Sequence, residues 1–211
     1  MFTFMIKPNY SLFMKKIIIL NFFILLVFES AFSQTKKIDD LYFDYTQFRN
    51  SPNRKEAKTK ALALFERSAE LNEKQIANIN FHLGSIYEED KQPELAIPHY
   101  QKVIKTVPGH YVTHRALAFI YLRQSDALGK KVTAAAQLKN ATLHAEAFKN
   151  YKKQVLLTLP YFEKSQACDP DENTLNIINN LYKTIKEPQQ LTTLNSRLKT
   201  LANDCVSLLD E

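Results

Sequence analysis

The chain has 211 residues, of which 45% are apolar, 11% aromatic and only three glycine, and its formal charge is +6. So few glycines leave no Gly-rich phosphate loop, and the abundance of Ala, Leu, Lys and Gln favours an all-α protein. The positive charge is spread along the chain rather than gathered in a block, which argues against nucleic acid as a partner.

Residues 1–33 read as an export signal behind a short leader. Met14-Lys15-Lys16 is a basic start, Ile17 to Phe28 an apolar run, and Ala31-Phe32-Ser33 places small residues three and one positions before Gln34. The run is shorter than the roughly 20 residues a spanning helix needs, and Asn21 and Glu29 interrupt and close it. An uncleaved membrane anchor is the alternative, and it is the sole membrane association expected. Met14 is the expected start of translation, and no cysteine follows the run to carry a lipid. Cleavage removes three lysines and one glutamate and lowers the charge from +6 to +4.

The remainder, 34–211, is of single-domain length and reads as helix pairs. Ile38, Leu41, Tyr42, Tyr45 and Phe48 lie at helical spacing, and Asn50-Ser51-Pro52-Asn53 ends that stretch and offers caps to the next. Ala57 to Leu71 completes a first pair, 38–72. Ala77 to Glu89 and Glu94 to Val107 form a second pair, 77–110, joined by Asp90-Lys91-Gln92-Pro93 and closed by Pro108-Gly109, where glycine is expected to take a positive φ. Val112 to Arg123 is the next first helix, expected to stop at Gln124-Ser125-Asp126. A long second helix follows, from Lys131 or Ala141 through Ala167, kinked at Pro160. These make an interrupted pair, 111–171. Thr174 to Lys186 and Gln189 to Leu201 form the last pair, 172–201, with 202–211 continuing or fraying its second helix.

One spacing stands out. Asn80-x-x-Leu83-Gly84-x-x-Tyr87, Ala96-x-x-x-Tyr100 and Pro108 recur in part at Leu117, Ala118 and Tyr121, about 34 residues later. Tyr100-Gln101-Lys102 and Pro108 reappear at Phe162-Glu163-Lys164 and Pro170, 62 residues on, so 28 residues are inserted. Small residues at Gly84 and Ala96 let two helices approach, and Leu83, Tyr87 and Tyr100 fill the space around them.

These motifs resemble the tetratricopeptide repeat family, well over Ala77 to Leu198 and weakly over Ile38 to Asn72. The chain departs from the family in having Asn80 and His114 at the usual Trp site and in carrying the insertion. The resemblance implies an antiparallel helix-hairpin α-solenoid with one long, insertion-extended helix. Signal, few repeats and long helix together look like small exported tetratricopeptide proteins of Gram-negative bacteria, which implies the periplasm or cell envelope.

It further implies a concave groove on the first helices that receives a protein or peptide. Carried over, the groove comprises Asn78, Phe81, Ser85, Glu88 and Glu89, then Val112, Arg115, Phe119, Leu122 and Arg123, with Asn173, Asn176, Asn180 and Lys183 from the last pair. Phe81, Phe119 and Leu122 suit an apolar anchor, Arg115 and Arg123 an acidic group, and the asparagines a peptide backbone. The Lys/Asn clamp with which some members hold a terminal carboxylate is not reproduced. The alternative is that these residues face solvent or cover the insertion.

Chemistry is not expected, nor a cofactor or metal. His110 and His114 stand at i, i+4 spacing, but Tyr111 rather than Glu follows the first and no third ligand accompanies them. Glu88-Glu89-Asp90 is an acidic helix end. Cys168 and Cys205, the only cysteines, fit either a disulfide in an oxidising compartment or two separate small apolar residues. The expected function is that of an exported, non-enzymatic scaffold with a protein or peptide in its groove. The alternative is a structural subunit of an envelope complex that assembles through the inserted helix.

Overall fold

The computed structural model describes residues 36–49 and 51–209. The expected signal, 1–33, lies outside the described residues. Among those described the fold is all-α, with eight α-helices: α1 (Ile38–Phe48), α2 (Arg54–Glu66), α3 (Glu73–Glu89), α4 (Pro93–Thr106), α5 (Tyr111–Gln137), α6 (Ala141–Cys168), α7 (Glu172–Thr184) and α8 (Leu194–Leu201). Short 3-10 turns occupy Ser68–Glu70, Pro188–Thr193 and Ala202–Asp204. None of the described helices is long and apolar enough to cross a membrane.

Local chemistry sets most boundaries. The Asn53 side chain accepts from the Glu56 N–H, Asn72 and Gln75 form a reciprocal capping box, and Asn140 and Asp171 cap α6 and α7. The capping box starts α3 one turn before Ala77, where the periodicity places it. At the other ends, Lys91, Lys139 and Lys186 take positive φ values of 59°, 51° and 60°. Beside Lys91, the Gln92 N–H donates to the Tyr87 carbonyl and the Lys91 N–H to that of Glu88, closing the helix in the paired-bond manner usually built on glycine.

From α1 to α7 each helix packs on its neighbour in sequence, most extensively α5 on α6, while α8 packs on α6. The joints are mixed. Tyr45 is buried with Leu64, Ile79 and Leu83 between α1, α2 and α3. Ala96, Tyr100, Leu117 and Ile120 fill the α4–α5 joint, and Val155, Leu159, Phe162, Ile178 and Leu181 the α6–α7 joint.

One expectation fails in α5, and one holds only in part in α6, which begins at Ala141, the later of the two expected starts, but does not contain the whole insertion. Gln124-Ser125-Asp126 does not end a helix. The buried Ser125 hydroxyl bonds back to the Tyr121 carbonyl at 3.0 Å and meets Thr158 Oγ1 at 3.3 Å, while Gln124 reaches Glu94 and Gln154. Gln124 and Ser125 are satisfied across and inside the helix and Asp126 faces solvent, so no break is needed. The inserted residues are therefore shared between two helices, and they lengthen both arms of one hairpin instead of a single helix. Each arm is about 40 Å long. Helix α6 runs through Pro160 without interruption; the carbonyl it leaves without an N–H partner, on Leu156, lies on an exposed face where water can serve it.

Gly84 lies beneath the Tyr100 ring: a Cβ added there would meet Tyr100 Cε1 at 2.5 Å. The ring cannot swing aside, because it is buried and its hydroxyl donates to Glu88 at 3.0 Å. Gly84→Ala is expected to destabilise the fold by about 1–3 kcal/mol, despite the better helix propensity of Ala. In a Tyr100→Ala background the same change becomes neutral or stabilising, as a urea-denaturation double-mutant cycle will show.

Burial lowers the pKa of His82, His99, His110 and His114 alike, that of His82 to about 4 with Arg54 adding repulsion. His82 Nδ1 lies 3.0 Å from the Tyr45 hydroxyl, and His99 stacks on Tyr87. Below pH about 6.5 the unfolded chain takes up protons that the folded chain refuses. The urea midpoint should therefore be level above that pH and fall as pH drops towards 4, with a shallower fall in His82→Gln.

Candidate functional site

The expected continuation of α8 reaches only Asp204: Ala202–Asp204 follow the helix as one 3-10 turn, and the residues beyond do not extend it. They turn back across the start of α5 as an extended segment, Cys205 to Leu209. Three anchors fix the root of this tail. The buried Lys164 ammonium donates to the Leu201 carbonyl at 2.7 Å and pairs with the Asp204 carboxylate, whose pKa it lowers. Cys168, the last residue of α6, is disulfide-bonded to Cys205 with the two Cα atoms 5.4 Å apart. Of the two readings open for these cysteines, the bonded one holds.

Beyond the disulfide the tail pairs with backbone. The Val206 N–H donates to the Gly109 carbonyl at 2.8 Å and the Tyr111 N–H to the Val206 carbonyl at 3.2 Å, forming a parallel bridge between His110 and Val206. The His110 ring sits beneath this crossing. Its Nδ1 is 2.7 Å from Thr113 Oγ1, and the ring also bonds the Ser207 backbone.

Gly109 explains why the chains come so close. Its φ is not positive, contrary to expectation. A Cβ there would instead overlap the Asp204 carbonyl oxygen and crowd Val206 Cγ2. The glycine is needed for backbone approach, not for turn geometry.

Leu209, the last described residue, takes an apolar seat. Leu209 is buried with Ala77 and Val103, beside Phe81 and Val107, between α3 and α4. A cleft of about 190 Å³ flanks it, lined by Arg49, Asn78, Phe81, His82 and His110 together with the tail. A second, of about 390 Å³, continues past Leu209 along Tyr42, Arg49, Asn72 and Lys74.

The groove residues expected from the repeat register thus fall into separate surroundings. Asn78 and Phe81 meet at the tail cleft; Asn78 donates to the Tyr42 hydroxyl and accepts from Arg49, both at 3.2 Å, and Phe81 sets its ring edge-on to His110. Arg115 is not poised for a ligand's acidic group. It donates to Ser165 Oγ at 3.0 Å and to the Asp169 carboxylate at 2.9 Å, tying α5 to the end of α6. Leu122 packs into the α6–α7 core, and Val112 is half-buried.

The remainder is accessible. Glu88 accepts from the Tyr100 hydroxyl and from Arg123 at 3.2 Å, Ser85 reaches Glu89, and Glu89 also pairs with Arg54. Phe119 is 37% exposed and packs edge-on to Phe162. Asn173, Asn176, Asn180 and Lys183 stand exposed on or beside α7. Sequence periodicity missed Arg49, Gly109, His110 and the tail itself. Its one available signal was the apolar pair Val206 and Leu209 directly after a cysteine.

His110 and His114 do not converge. His110 faces Thr113 and the tail, while His114 Nε2 meets the Pro108 carbonyl at 2.8 Å. At α6, Glu163 accepts from Tyr182 at 2.6 Å and from Arg197 at 2.7 Å, and burial with this carboxylate raises the Tyr182 pKa to about 12. This buried set binds α7 and α8 to α6 and opens into none of the clefts described above.

No family model, no curated protein and no solved structure matches the chain.

Proposed function

We propose that the chain is an exported, non-enzymatic scaffold of tetratricopeptide type, whose first helices α1, α3, α5 and α7 line a groove that holds an extended segment of a protein or peptide. The observation that carries this reading is the tail itself: an extended segment is already received beside Phe81 of α3, through backbone hydrogen bonds to Gly109 and Tyr111 at the start of α5 and one apolar anchor between α3 and α4. The sequential packing of the helices and the close approach at Gly84 support the repeat assignment. The disulfide supports export, since such bonds persist in oxidising compartments.

The accessible half of the groove, Ser85, Glu88, Phe119 and Arg123, is where a partner would be met. A photoreactive residue placed at Ser85 or Phe119 should yield a discrete cross-linked partner in intact cells, and one at Lys105 on α4 should not. Phe119→Ala with Arg123→Glu should weaken capture at least tenfold. Equal cross-linking from Lys105 would remove the assignment.

A second reading, a structural subunit assembling through the long α5–α6 hairpin, is favoured by the hairpin tip, where Leu138 is 71% and Leu143 43% exposed. On that reading Leu138→Asp with Leu143→Asp lowers the assembly mass measured by light scattering, and an unchanged mass excludes it.

A further inference from the structure

Residues 205–209 make few contacts for the position they hold. Two backbone hydrogen bonds, one His110 contact and one buried anchor seat them, while Ser207 is exposed and Leu208 is 59% exposed. Segments with so little burial open readily. Two clefts adjoin the tail, one lined by Phe81, His110 and residues 207–209, the other reaching Leu209 from the α1 side. What keeps the tail in place is its root: Lys164 at Asp204, and the Cys168–Cys205 bond.

We propose that the surface formed by Gly109, His110, Tyr111, Asn78 and Phe81 is a receptor for an extended apolar peptide, that Cys205–Leu209 is its built-in occupant, and that thiol–disulfide exchange at Cys168–Cys205 governs access to it. The inference rests on the groove-binding function above and names its ligand class and its control. The ligand is an extended segment with apolar residues three apart, as Val206 and Leu209 are. It offers one N–H to the Gly109 carbonyl and one carbonyl to the Tyr111 N–H, in the manner of a strand added to a sheet edge.

The exchange balances with a protein dithiol as reductant. Its thiolate attacks Sγ of Cys205, the exposed partner, and the Sγ–Sγ bond breaks with its electron pair leaving on Cys168, which takes a proton. The second thiolate of the reductant then displaces Cys205 from the mixed disulfide. Two electrons and two protons pass to the chain, and the reductant becomes a disulfide. Opening the bond leaves the tail on a short flexible tether, so it competes at a lower effective concentration than when clamped.

The test uses the full chain and a fluorescent synthetic peptide, Asp-Ser-Val-Ser-Leu-Leu, which repeats 204–209 with serine in place of cysteine. Fluorescence anisotropy should show about tenfold tighter binding to the dithiothreitol-reduced chain than to the oxidised one. Cys168→Ser with Cys205→Ser should match the reduced chain. Val206→Asp with Leu209→Asp, which unseats the tail while leaving the disulfide and the receptor unaltered, should bind the peptide tightly even when oxidised. Adding Gly109→Ala to that variant should abolish binding. A difference below threefold among these states, or equally tight binding to the oxidised chain, overturns the inference. A reduced chain that dimerises, with the peptide dissolving the dimer, would make a second copy the occupant and overturn the assignment to a partner peptide. Cross-linking from Ser85 and Phe119 does not depend on the tail: its persistence would confine a failure to this inference, and its loss would reach the groove itself.

Discussion

The C-terminal segment comes back to the start of α5 at one close backbone approach, Gly109 against Asp204 and Val206. Stacked helix pairs bury their mutual faces, but an inner face is left uncovered unless something returns across it. Here the chain's own end returns. Burying Leu209 gives about 1.5–3 kcal/mol and two hydrogen bonds about 1 kcal/mol each. Ordering five residues costs about 1–2 kcal/mol apiece. Left to itself the tail falls short. The disulfide holds Cys205 beside Cys168 in the folded chain, so the first residue of the tail is already placed and less remains to be ordered. The covalent bond decides where the tail sits, and the apolar seat decides only how it lies there.

The end of α6 is built to carry that load. Glu163 and Lys164 are both buried, and adjacent residues point their charges at different partners: Glu163 at Tyr182 and Arg197, Lys164 at Leu201 and Asp204. Buried ion pairs add little net stability compared with apolar packing, yet removing one partner costs several kcal/mol. Such pairs specify position. In this case they fix α8 and the tail root against α6, so that Cys205 meets Cys168 and Val206 meets Gly109. A cation in the last turns of a helix is also favoured by the helix dipole.

The sequence carried the helices wherever the governing interaction was local. The α3–α4 pair was readable because its caps, its turn and its closing proline all lie within a few residues. Helix α5 was cut short in the reading because Ser125 belongs to a bond with Thr158, 33 residues away, that no window contains. Gly109 was assigned the commonest local role of glycine, whereas its partner lies 95 residues downstream. Periodicity placed Asn78, Phe81 and Arg115 on plausible faces but could not say what covers a face. The tail covers the first two, and Asp169 engages the third. The lysines at positive φ were also hidden, since Lys91, Lys139 and Lys186 do what glycine or asparagine usually does.

On the groove reading proposed above, the covered and open stretches of α3 form one track. Phe81, Ser85 and Glu88 follow one another along α3, about 10 Å from first to last at the rise of an α-helix. A segment seated at Phe81 can therefore continue to the Glu88–Arg123 pair without changing direction. The two halves are not equal in what they contribute. An exposed pair such as Glu88–Arg123 is worth at most about 1 kcal/mol and is screened by salt, so it discriminates among ligands more than it holds them. Affinity resides at the apolar seat, where a buried leucine-sized anchor contributes more than the whole polar half. That seat is the part the tail occupies. On the proposed reading, a ligand met at Ser85 and Phe119 alone is held more weakly than one that also reaches the seat, so the tail governs the seat and leaves capture at the open half in place.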